Sequence, residues 1–319
     1  MSFAKMDLPT HMVLKTGARI PIVGFGTTHA DSPSVVEDAL SVGYRHLDGA
    51  WKYGADKEIG TGIRNSGVPR ADIFITSKFW PNFAREPELS LDLTLEATQT
   101  DYVDLFLMHW PVAFVPSGDL RQALAKPQDR EKEGIKYLEN GKPAIDQEYS
   151  ENLLLAWRKM EALQRSGKAK ALGVSNFSIK QLEKLLPHVS PDTPLCVNQV
   201  EAHPWFANTE LIEYCKSKGI IVEAYSPMGG RLDETRRRVD DPVIKEIASQ
   251  QKLTPGQLVQ SWAVQRGTIP LGRSSNKERM RKNLEVKRLS EKEMESLNAL
   301  DLGEAGRKGN PDWGWPIFD

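Results

Sequence analysis

The feature that most constrains this chain is an alternation of short β-rich runs with longer amphipathic stretches along almost all of its 319 residues. Helical stretches between consecutive strands imply parallel strands joined by right-handed crossovers. Eight such units close a barrel more readily than they fill an open sheet. The sequence therefore predicts a single α/β domain over residues 1–319, a (β/α)8 TIM barrel. The candidate strands are Pro21–Gly24, Arg45–Leu47, Ile73–Ser77, Val103–His109, Ala171–Val174, Val197–Glu201, Ile221–Tyr225 and Thr268–Leu271.

The segments between these strands contain start and stop signals. Met12–Pro21 is typical of a hairpin around Thr16-Gly17, which we expect to plug the barrel. Ser150 and Thr209 are suited to cap two helices, and the pair Asp241-Pro242 is suited to begin a third.

Other segments are less regular. The leucines of Pro87–Thr98 alternate as in a strand, but the order of the units requires a helix there. Pro111–Tyr149 and Gly229–Asp240 are too long for simple turns, and we expect long loops at the C-terminal face of the barrel. The run Arg236–Arg238 is interpreted as solvated. The tail Gly303–Asp319 contains aromatic residues without helical spacing.

Composition and charge exclude several classes of partner. The net charge is −1 and the isoelectric point is near 6.6, without the basic surplus that nucleic acid or an acidic membrane requires. No apolar run is long enough to cross a membrane, and the N-terminus lacks the apolar core of a secretory signal. Because Cys196 and Cys215 are the only cysteines, we expect a reducing, cytoplasmic location.

Motifs for other chemistries are missing from the sequence. It contains no Gly-x-Gly-x-x-Gly and no P-loop, and its six histidines and two cysteines show no zinc-like spacing. A Rossmann-type cofactor site and a metal site are therefore not predicted.

Four reactive side chains lie at the ends of three consecutive strands. Asp48 and Tyr53 follow strand two, Lys78 follows strand three, and His109 ends strand four. In such barrels chemistry occurs at the C-terminal ends of the strands, so we expect these side chains to meet at one rim. Taken singly, each has an ordinary explanation in capping, solvation or packing. Their combination predicts a catalytic site.

This combination suits the reduction of a carbonyl group. The pKa of a tyrosine phenol is about 10 in water, and a nearby ammonium lowers it. We expect Lys78, held by an ion pair with Asp48, to lower the pKa of Tyr53 so that the phenol can donate a proton. His109 would orient the substrate carbonyl by a hydrogen bond.

Other strand ends have groups suited to a flat ring with an amide. Asn176, which follows Ser175, and Gln199 can pair with a carboxamide, and Tyr225 offers a face for stacking. A nicotinamide presents both features. The competing interpretations are helix capping by the Ser175-Asn176 pair and ordinary barrel packing of Tyr225.

The segment after strand eight has the features of an anion site. A helix beginning near Asn276 would direct free N–H groups at the preceding loop, where Arg273, Ser274 and Arg279 add donors. This supply exceeds what a diphosphate needs and suggests the additional 2′-phosphate of NADP. The competing interpretation is a solvated basic helix face.

At this point the sequence resembles the aldo-keto reductase family along essentially the whole chain. The ending Asn310–Phe318 resembles that of the xylose-reductase-like branch of yeasts and fungi. The matching segments are Gly24–Thr27, Gly43–Gly60, Ser77–Trp80, Asp101–Pro111, Gly173–Phe177, Asn198–Pro204, Glu223–Gly229 and Gly272–Asn283.

The resemblance implies reversible, NADPH-dependent reduction of aldehydes or ketones, aldoses among them, with Tyr53 as general acid and without a metal. The implied catalytic residues are Asp48, Tyr53, Lys78 and His109. The implied cofactor contacts are Thr27, Ser175, Asn176, Gln199, Tyr225, Ser226, Arg273, Ser274, Asn276, Arg279 and Asn283. The implied pocket residues are Trp51, Trp80, Trp110, Phe114 and either Trp313 or Trp315.

The chain departs from the family pattern at three places. Leu271–Ser274 replaces the more usual Ile-Pro-Lys-Ser, which keeps NADPH as the expected cofactor and leaves use of NADH open. Lys52 is unusual beside the general acid and favours polar or anionic substrates. The loop after strand seven is shorter than in relatives that clamp the cofactor, so we expect faster cofactor release.

Three other functions stay open at this stage. A cofactor-binding sensor with little turnover is disfavoured by the complete set of four reactive residues. A reductase of C=C bonds is disfavoured because His109 is intact. A phosphate-sugar barrel enzyme without redox chemistry would not bind NADPH. We expect a small carbonyl substrate, no nucleic-acid or membrane partner, and either a monomer or a homodimer.

Overall fold

The structure, a computed structural model, describes residues 8–126 and 130–318, and its eight parallel strands close into a barrel. An antiparallel hairpin, β1 (His11–Val13) and β2 (Arg19–Pro21), precedes the barrel. The strands follow chain order around the barrel, and the last pairs with the first. This confirms the predicted fold class. The barrel strands are β3 (Gly24–Gly26), β4 (His46–Asp48), β5 (Phe74–Phe79), β6 (Val103–Met108), β7 (Ala169–Ser175), β8 (Leu195–Glu201), β9 (Ile221–Tyr225) and β10 (Thr268–Gly272).

Helices pack around the barrel and bury apolar faces against it, including the fully buried Trp157 and Trp262. The helices are α1 (Pro33–Ser41), α2 (Asp56–Ser66), α3 (Pro87–Thr98), α4 (Gln147–Glu151), α5 (Leu154–Arg165), α6 (Ile179–Leu185), α7 (Thr209–Ser217), α8 (Pro242–Gln250), α9 (Pro255–Gln265), α10 (Lys277–Leu284) and α11 (Glu291–Asn298).

The hairpin closes the end of the barrel where the strands begin. Leu14 and Ile20 pack in one buried cluster with Leu105, Ala171 and Ile269 from inside the barrel. This apolar plug leaves the opposite end, where the strands finish, for polar side chains.

The first barrel strand lies later in the chain than predicted, at Gly24–Gly26, because Pro21 belongs to the hairpin. Gly24 lies where neighbouring strands come close. A Cβ there would be 2.5 Å from Leu271 Cδ2 and 2.9 Å from His46 Nδ1. The strand therefore needs glycine at this position, a requirement that β-propensity does not reveal.

Two of the predicted helix caps are wrong. Ser150 lies inside α4, which Asp146 caps by accepting the main-chain N–H of Tyr149 at 3.4 Å, and α5 begins after Leu153 without a side-chain cap. Thr209 lies inside α7 and is preceded by Asn208, whose φ of 50° starts the helix without a side-chain cap. The cap by Asp241 is confirmed, and its carboxylate accepts the N–H of the second helical residue at 2.9 Å.

The helix over Pro87–Thr98 is confirmed despite its strand-like leucines. It uses Pro87 in its first turn and buries Leu91 against the barrel. The tertiary order of the units therefore outweighs the local alternation.

The C-terminal tail is anchored over the end of the barrel. Glu201, the last residue of β8, accepts main-chain hydrogen bonds from Lys308 at 3.0 Å and from Gly309 at 2.6 Å. Arg238 is buried rather than solvated, and donates to the main-chain oxygen of Gly306 at 2.6 Å. This contact links the loop after β9 to the tail, which the run of arginines did not reveal.

Within residues 8–126 and 130–318, no helix is both long and apolar enough to cross a membrane. The same residues contain no group of three or more His, Cys, Asp or Glu side chains arranged to hold a metal ion. Cys196 and Cys215 are buried free thiols.

Candidate active site

Asp48, Tyr53, Lys78 and His109 meet at the C-terminal rim of the barrel, as the strand ends predict. Asp48 ends β4, Lys78 is the penultimate residue of β5, and His109 directly follows β6. Tyr53 lies in a 3₁₀ turn over Trp51–Tyr53, shortly after β4. Adjacent parallel strands bring these positions together because their C-terminal ends share one edge.

The ammonium of Lys78 is the centre of this group. It lies 2.7 Å from Asp48 Oδ1, 2.7 Å from the main-chain oxygen of Gly49 and 3.4 Å from the hydroxyl of Tyr53. Burial alone would lower the pKa of Lys78, but the charge of Asp48, followed by that of Tyr53, raises it above its ordinary value. The lysine therefore remains a buried cation.

The pKa of Tyr53 moves against our expectation from the sequence. Burial of the phenol raises this pKa above its ordinary value, and the opposing effect of the Lys78 charge is smaller. The expected net lowering is therefore wrong, because desolvation penalises the phenolate more than one ammonium stabilises it. Tyr53 therefore keeps its proton at neutral pH, and the charge of Lys78 favours the phenolate form.

His109 is a neutral imidazole beside the phenol. Its ring lies edge-on to Tyr53, with 5.7 Å between centroids, and edge-on to Trp80 at 5.0 Å. Burial, followed by the charges of Lys78 and Lys52, holds the pKa of His109 well below its usual range. A neutral imidazole has one N–H to donate, which suits a carbonyl oxygen.

The groups expected to bind a carboxamide also lie together. Asn176 donates from Nδ2 to the main-chain oxygen of His109 at 2.9 Å and accepts at Oδ1 from the hydroxyl of Tyr225 at 2.7 Å. Ser175 donates to the main-chain oxygen of Gln199 at 2.8 Å. Asn176 has a φ of 63°, and such strain in a residue other than glycine clusters at functional sites.

Glu223 belongs to this group and was missed by the sequence reasoning. Gln199 Nε2 lies 2.8 Å from Asp48 Oδ1 and 2.6 Å from Glu223 Oε2. Burial, followed by the charge of Asp48, raises the pKa of Glu223 to about 8. The sequence could have indicated it, because Glu223 lies two residues before Tyr225 and side chains two residues apart on a strand share a face.

Thr27 and Ser226 differ in their access to a ligand. Thr27 is fully buried and its hydroxyl donates to the main-chain oxygen of Asp48 at 2.9 Å. Its side chain therefore holds the adjoining strands together, and its expected contact with the cofactor stays a prediction. Ser226 is exposed after β9 with a left-handed φ of 53°, which suits a contact to a diphosphate.

The start of α10 has the expected form of an anion site. Asn276 caps the helix by accepting the Arg279 N–H at 2.9 Å, and Ser274 accepts the Asn276 N–H at 3.1 Å. Arg273 and Arg279 are exposed there, whereas Asn283 is buried in the last turn of the helix. The capping role of Asn276 uses its side-chain oxygen and leaves its amide N–H₂ for a ligand.

The chemical groups at these positions suit a phosphorylated dinucleotide. Amide groups and the half-buried ring of Tyr225 lie at the end for the nicotinamide, while exposed arginines lie at the end for the phosphates. The positive-φ Ser226 lies between them in the chain order of the rim.

Four of the predicted pocket aromatics form one cluster. Trp313 lies edge-on to Trp80, Trp110 and Phe114, with centroid separations between 5.0 and 5.8 Å. A cavity of about 410 Å³ is lined by Trp80, Phe114 and Trp313 of this cluster and by Glu133. The remaining lining residues are Ile135, Tyr137, Gly141, Lys142, Pro143 and Asp312.

Trp51 is not part of this cluster, which contradicts the expectation from the sequence. It is buried and packs edge-on against Phe83 at 4.7 Å in the core between barrel and helices. The following residue, Lys52, instead contacts two residues that line the cavity, Trp80 and Glu133. Its ammonium is 5.5 Å from the centre of the Trp80 ring and forms an ion pair with Glu133.

Glu133 therefore joins the site from a distant loop. It is buried, pairs with Lys52 and accepts a hydrogen bond from the hydroxyl of Tyr137. No sequence motif marks Glu133 or Tyr137, because both lie in the irregular loop after β6. Their charge and polarity define one side of the cavity.

Comparison with known proteins shows similarity along most of the chain. The model of the Aldo/keto reductase family matches residues 23–302. The glycerol 2-dehydrogenase (NADP(+)) of Saccharomyces cerevisiae is 41% identical over 309 residues, covering 94% of each chain. An aldehyde reductase of the same yeast is 39% identical over 319 residues, covering 96% of each chain.

A solved structure gives the same result. The aldose reductase of Schistosoma japonicum superposes with a TM-score of 0.79 at 33% identity, covering 92% of this chain and 93% of that one. The similarity therefore extends over most of the length of both chains.

Proposed function

The chain belongs to the aldo/keto reductase family, and from this premise we propose that it reduces an aldehyde or ketone with NADPH while Tyr53 donates the proton. Membership makes the protein an NAD(P)H-dependent oxidoreductase. The identity of the nucleotide, the proton donor and the substrate are the new parts of the proposal.

The contact between Lys78 and Tyr53 is the observation that supports the proposal most. A buried ammonium 3.4 Å from a half-buried phenol serves no evident packing purpose, since burying a cation is costly unless it is paired. Its other two hydrogen bonds, to Asp48 and Gly49, fix its position. The arrangement favours stabilisation of a phenolate that appears when Tyr53 gives up its proton.

The reaction then divides among the residues of the rim. When bound, NADPH supplies a hydride for the carbonyl carbon. His109 donates a hydrogen bond that orients the carbonyl oxygen, and Tyr53 transfers its hydroxyl proton to that oxygen. Lys78 stabilises the phenolate left behind, and Asp48 keeps Lys78 charged and in place. A positioned acid of this kind contributes roughly 10²- to 10⁴-fold to the rate.

The preference for NADPH over NADH rests on the start of α10. Arg273 and Arg279 are exposed there, beside the free N–H groups of a helix N-terminus. Both features favour a doubly charged phosphate, since guanidinium groups make paired hydrogen bonds to phosphate oxygens. NADH lacks the 2′-phosphate and would leave these groups without their partner.

The substrate end of the site favours small, neutral, polar carbonyl compounds. The cavity is lined by Glu133, Lys142 and Asp312, and the ion pairs Lys52–Glu133 and Lys142–Asp312 balance its charge. Because the charge of Lys52 is matched by Glu133, the anionic substrates that Lys52 alone suggested are less favoured. Hydroxyl groups can bond to these pairs while Trp80 and Trp313 cover the carbon chain.

A panel of carbonyl compounds assayed with NADPH and with NADH tests this function. We expect turnover of short hydroxyaldehydes with NADPH and much weaker turnover with NADH. A panel with no oxidation of NADPH, although the nucleotide binds, would contradict the proposal and favour a cofactor-binding protein without turnover.

A further inference from the structure

Glu223 is a fully buried acid that the proposed mechanism does not use. It lies in the middle of β9 with its side chain inside the barrel, two residues before Tyr225. Its Oε2 is 2.6 Å from Gln199 Nε2, and the same nitrogen is 2.8 Å from Asp48. One amide therefore joins Glu223 to the Asp48–Lys78 ion pair.

The charges around Glu223 leave it without a counter-ion. On β4 and β5, Asp48 and Lys78 already neutralise each other at 2.7 Å. His46, whose Nε2 is 3.4 Å from Glu223 Oε1, is neutral because burial lowers its pKa to about 3. On the other side, β10 places the apolar Ile269 in register with Glu223. An ionised Glu223 would therefore be an unmatched buried anion.

An unmatched buried carboxyl group stays protonated until a positive charge arrives. Burial, followed by the Asp48 charge, raises the pKa of Glu223 in agreement with this. Oxidised nicotinamide brings such a charge, because its ring is a cation whereas the reduced ring is neutral. Gln199 and Tyr225 are the residues proposed to contact that ring, and Glu223 is hydrogen-bonded to Gln199 and lies two residues before Tyr225 on β9.

We propose that Glu223 is a proton-exchanging residue that responds to the redox state of the bound nucleotide. Its carboxyl group keeps its proton beside NADPH. It releases this proton to solvent when NADP⁺ binds, becoming the counter-charge of the positive ring, and takes a proton back when NADP⁺ leaves. The inference rests on the proposed function, because it requires a nicotinamide at Gln199 and Tyr225.

Proton release makes the affinity for NADP⁺ depend on pH. Each unit of pH can change the affinity by at most tenfold per proton released, by linkage. We expect the ratio of Kd for NADP⁺ to Kd for NADPH to fall roughly three- to tenfold between about pH 6.5 and about pH 8.5. Titration of the 2′-phosphate affects both nucleotides equally and cancels in this ratio.

Fluorescence titrations of both nucleotides across this range test the inference with Glu223→Gln. The glutamine keeps the shape and an oxygen for Gln199 but cannot ionise, so we expect a ratio that no longer changes with pH. Glu295→Gln, which removes an exposed glutamate on α11, is the matched control and should behave like the wild type. A Glu223→Gln protein with the wild-type pH dependence would overturn the proposal.

A second variant separates Glu223 from the phenol. If Tyr53 were the group that ionises, Tyr53→Phe would abolish the pH dependence of the ratio, and that result would also overturn the proposal. We expect Tyr53→Phe to retain it.

A measurement on the wild type covers the case in which Glu223→Gln does not fold. In weakly buffered solution with a pH indicator, NADP⁺ should release more protons on binding than NADPH at about pH 7.5. Equal release for both nucleotides would contradict the role of Glu223. Failure of either nucleotide to bind would instead contradict the proposed function.

Discussion

The ammonium of Lys78 lies 3.4 Å from the hydroxyl of Tyr53 at the rim of the barrel, where Lys78 is fully buried and Tyr53 is half-buried. A lysine ammonium has three N–H donors. Two are committed to Asp48 and to the main chain of Gly49, each at 2.7 Å, so the third is directed to the phenol. This relationship joins the stability of the barrel to its proposed chemistry.

Replacing Lys78 with methionine should separate these two roles. We expect kcat to fall by roughly 10²- to 10⁴-fold, because nothing then stabilises the phenolate of Tyr53. Stability should fall by about 3–5 kcal/mol, because Asp48 becomes a buried charge without its partner. Steady-state kinetics and urea unfolding measure the two effects.

The double variant Lys78→Met with Asp48→Asn is the control for that experiment. Removing both charges should restore most of the stability and none of the activity. Recovery of activity in the double variant would show that Lys78 acts only through the fold.

The convergence of Asp48, Tyr53, Lys78 and His109 follows from the sequence because parallel strands place their ends on one edge. Counting strands was sufficient to bring these four residues together, even though the first strand was misplaced by three residues. The single domain over residues 1–319 stays a prediction.

Other parts of the site depend on information that local patterns do not contain. The direction of the Tyr53 pKa depends on how completely the phenol is buried, and the Lys52–Glu133 pair depends on the path of an irregular loop. The place of Trp51 depends on which way a short turn winds after β4.

Arginine variants at the start of α10 should change the choice of nucleotide. For each of Arg273→Ala and Arg279→Ala, we expect Kd for NADPH to rise roughly 10- to 100-fold, because a hydrogen bond to a charged group is lost. Affinity for NADH should hardly change, because NADH has no 2′-phosphate. Arg281→Ala, on the same helix but paired with Glu278, is the matched control. An equal loss for both nucleotides would contradict a 2′-phosphate site.

Removing Lys52 should weaken recognition of hydroxylated substrates. For Lys52→Met, we expect KM for glyceraldehyde to rise roughly three- to tenfold, which corresponds to the loss of about one hydrogen bond. KM for propanal, which has the same carbon chain without hydroxyl groups, should stay unchanged. Lys57→Met, an exposed change in the adjoining helix, provides the control. A parallel rise for both aldehydes would indicate a structural effect of Lys52.

The burial of Glu223 should also be visible in the stability of the protein without nucleotide. Its pKa is raised on folding to about 8 from an ordinary 4.5. The folded state therefore holds a proton that the unfolded state loses, and this contribution to stability disappears as pH rises from about 4.5 to about 8. Glu223→Gln should gain stability relative to wild type over that window, by a few kcal/mol. Urea unfolding at several pH values measures it, and a constant difference would argue against a buried neutral acid.

The most direct test of the account is the kinetics of Tyr53→Phe. This change removes one hydroxyl group and keeps the ring that packs beside His109. We predict that NADPH binds with nearly unchanged affinity while carbonyl reduction falls by at least roughly 10²-fold. A Tyr53→Phe enzyme that reduces its best aldehyde at the wild-type rate would show that the proton comes from another group.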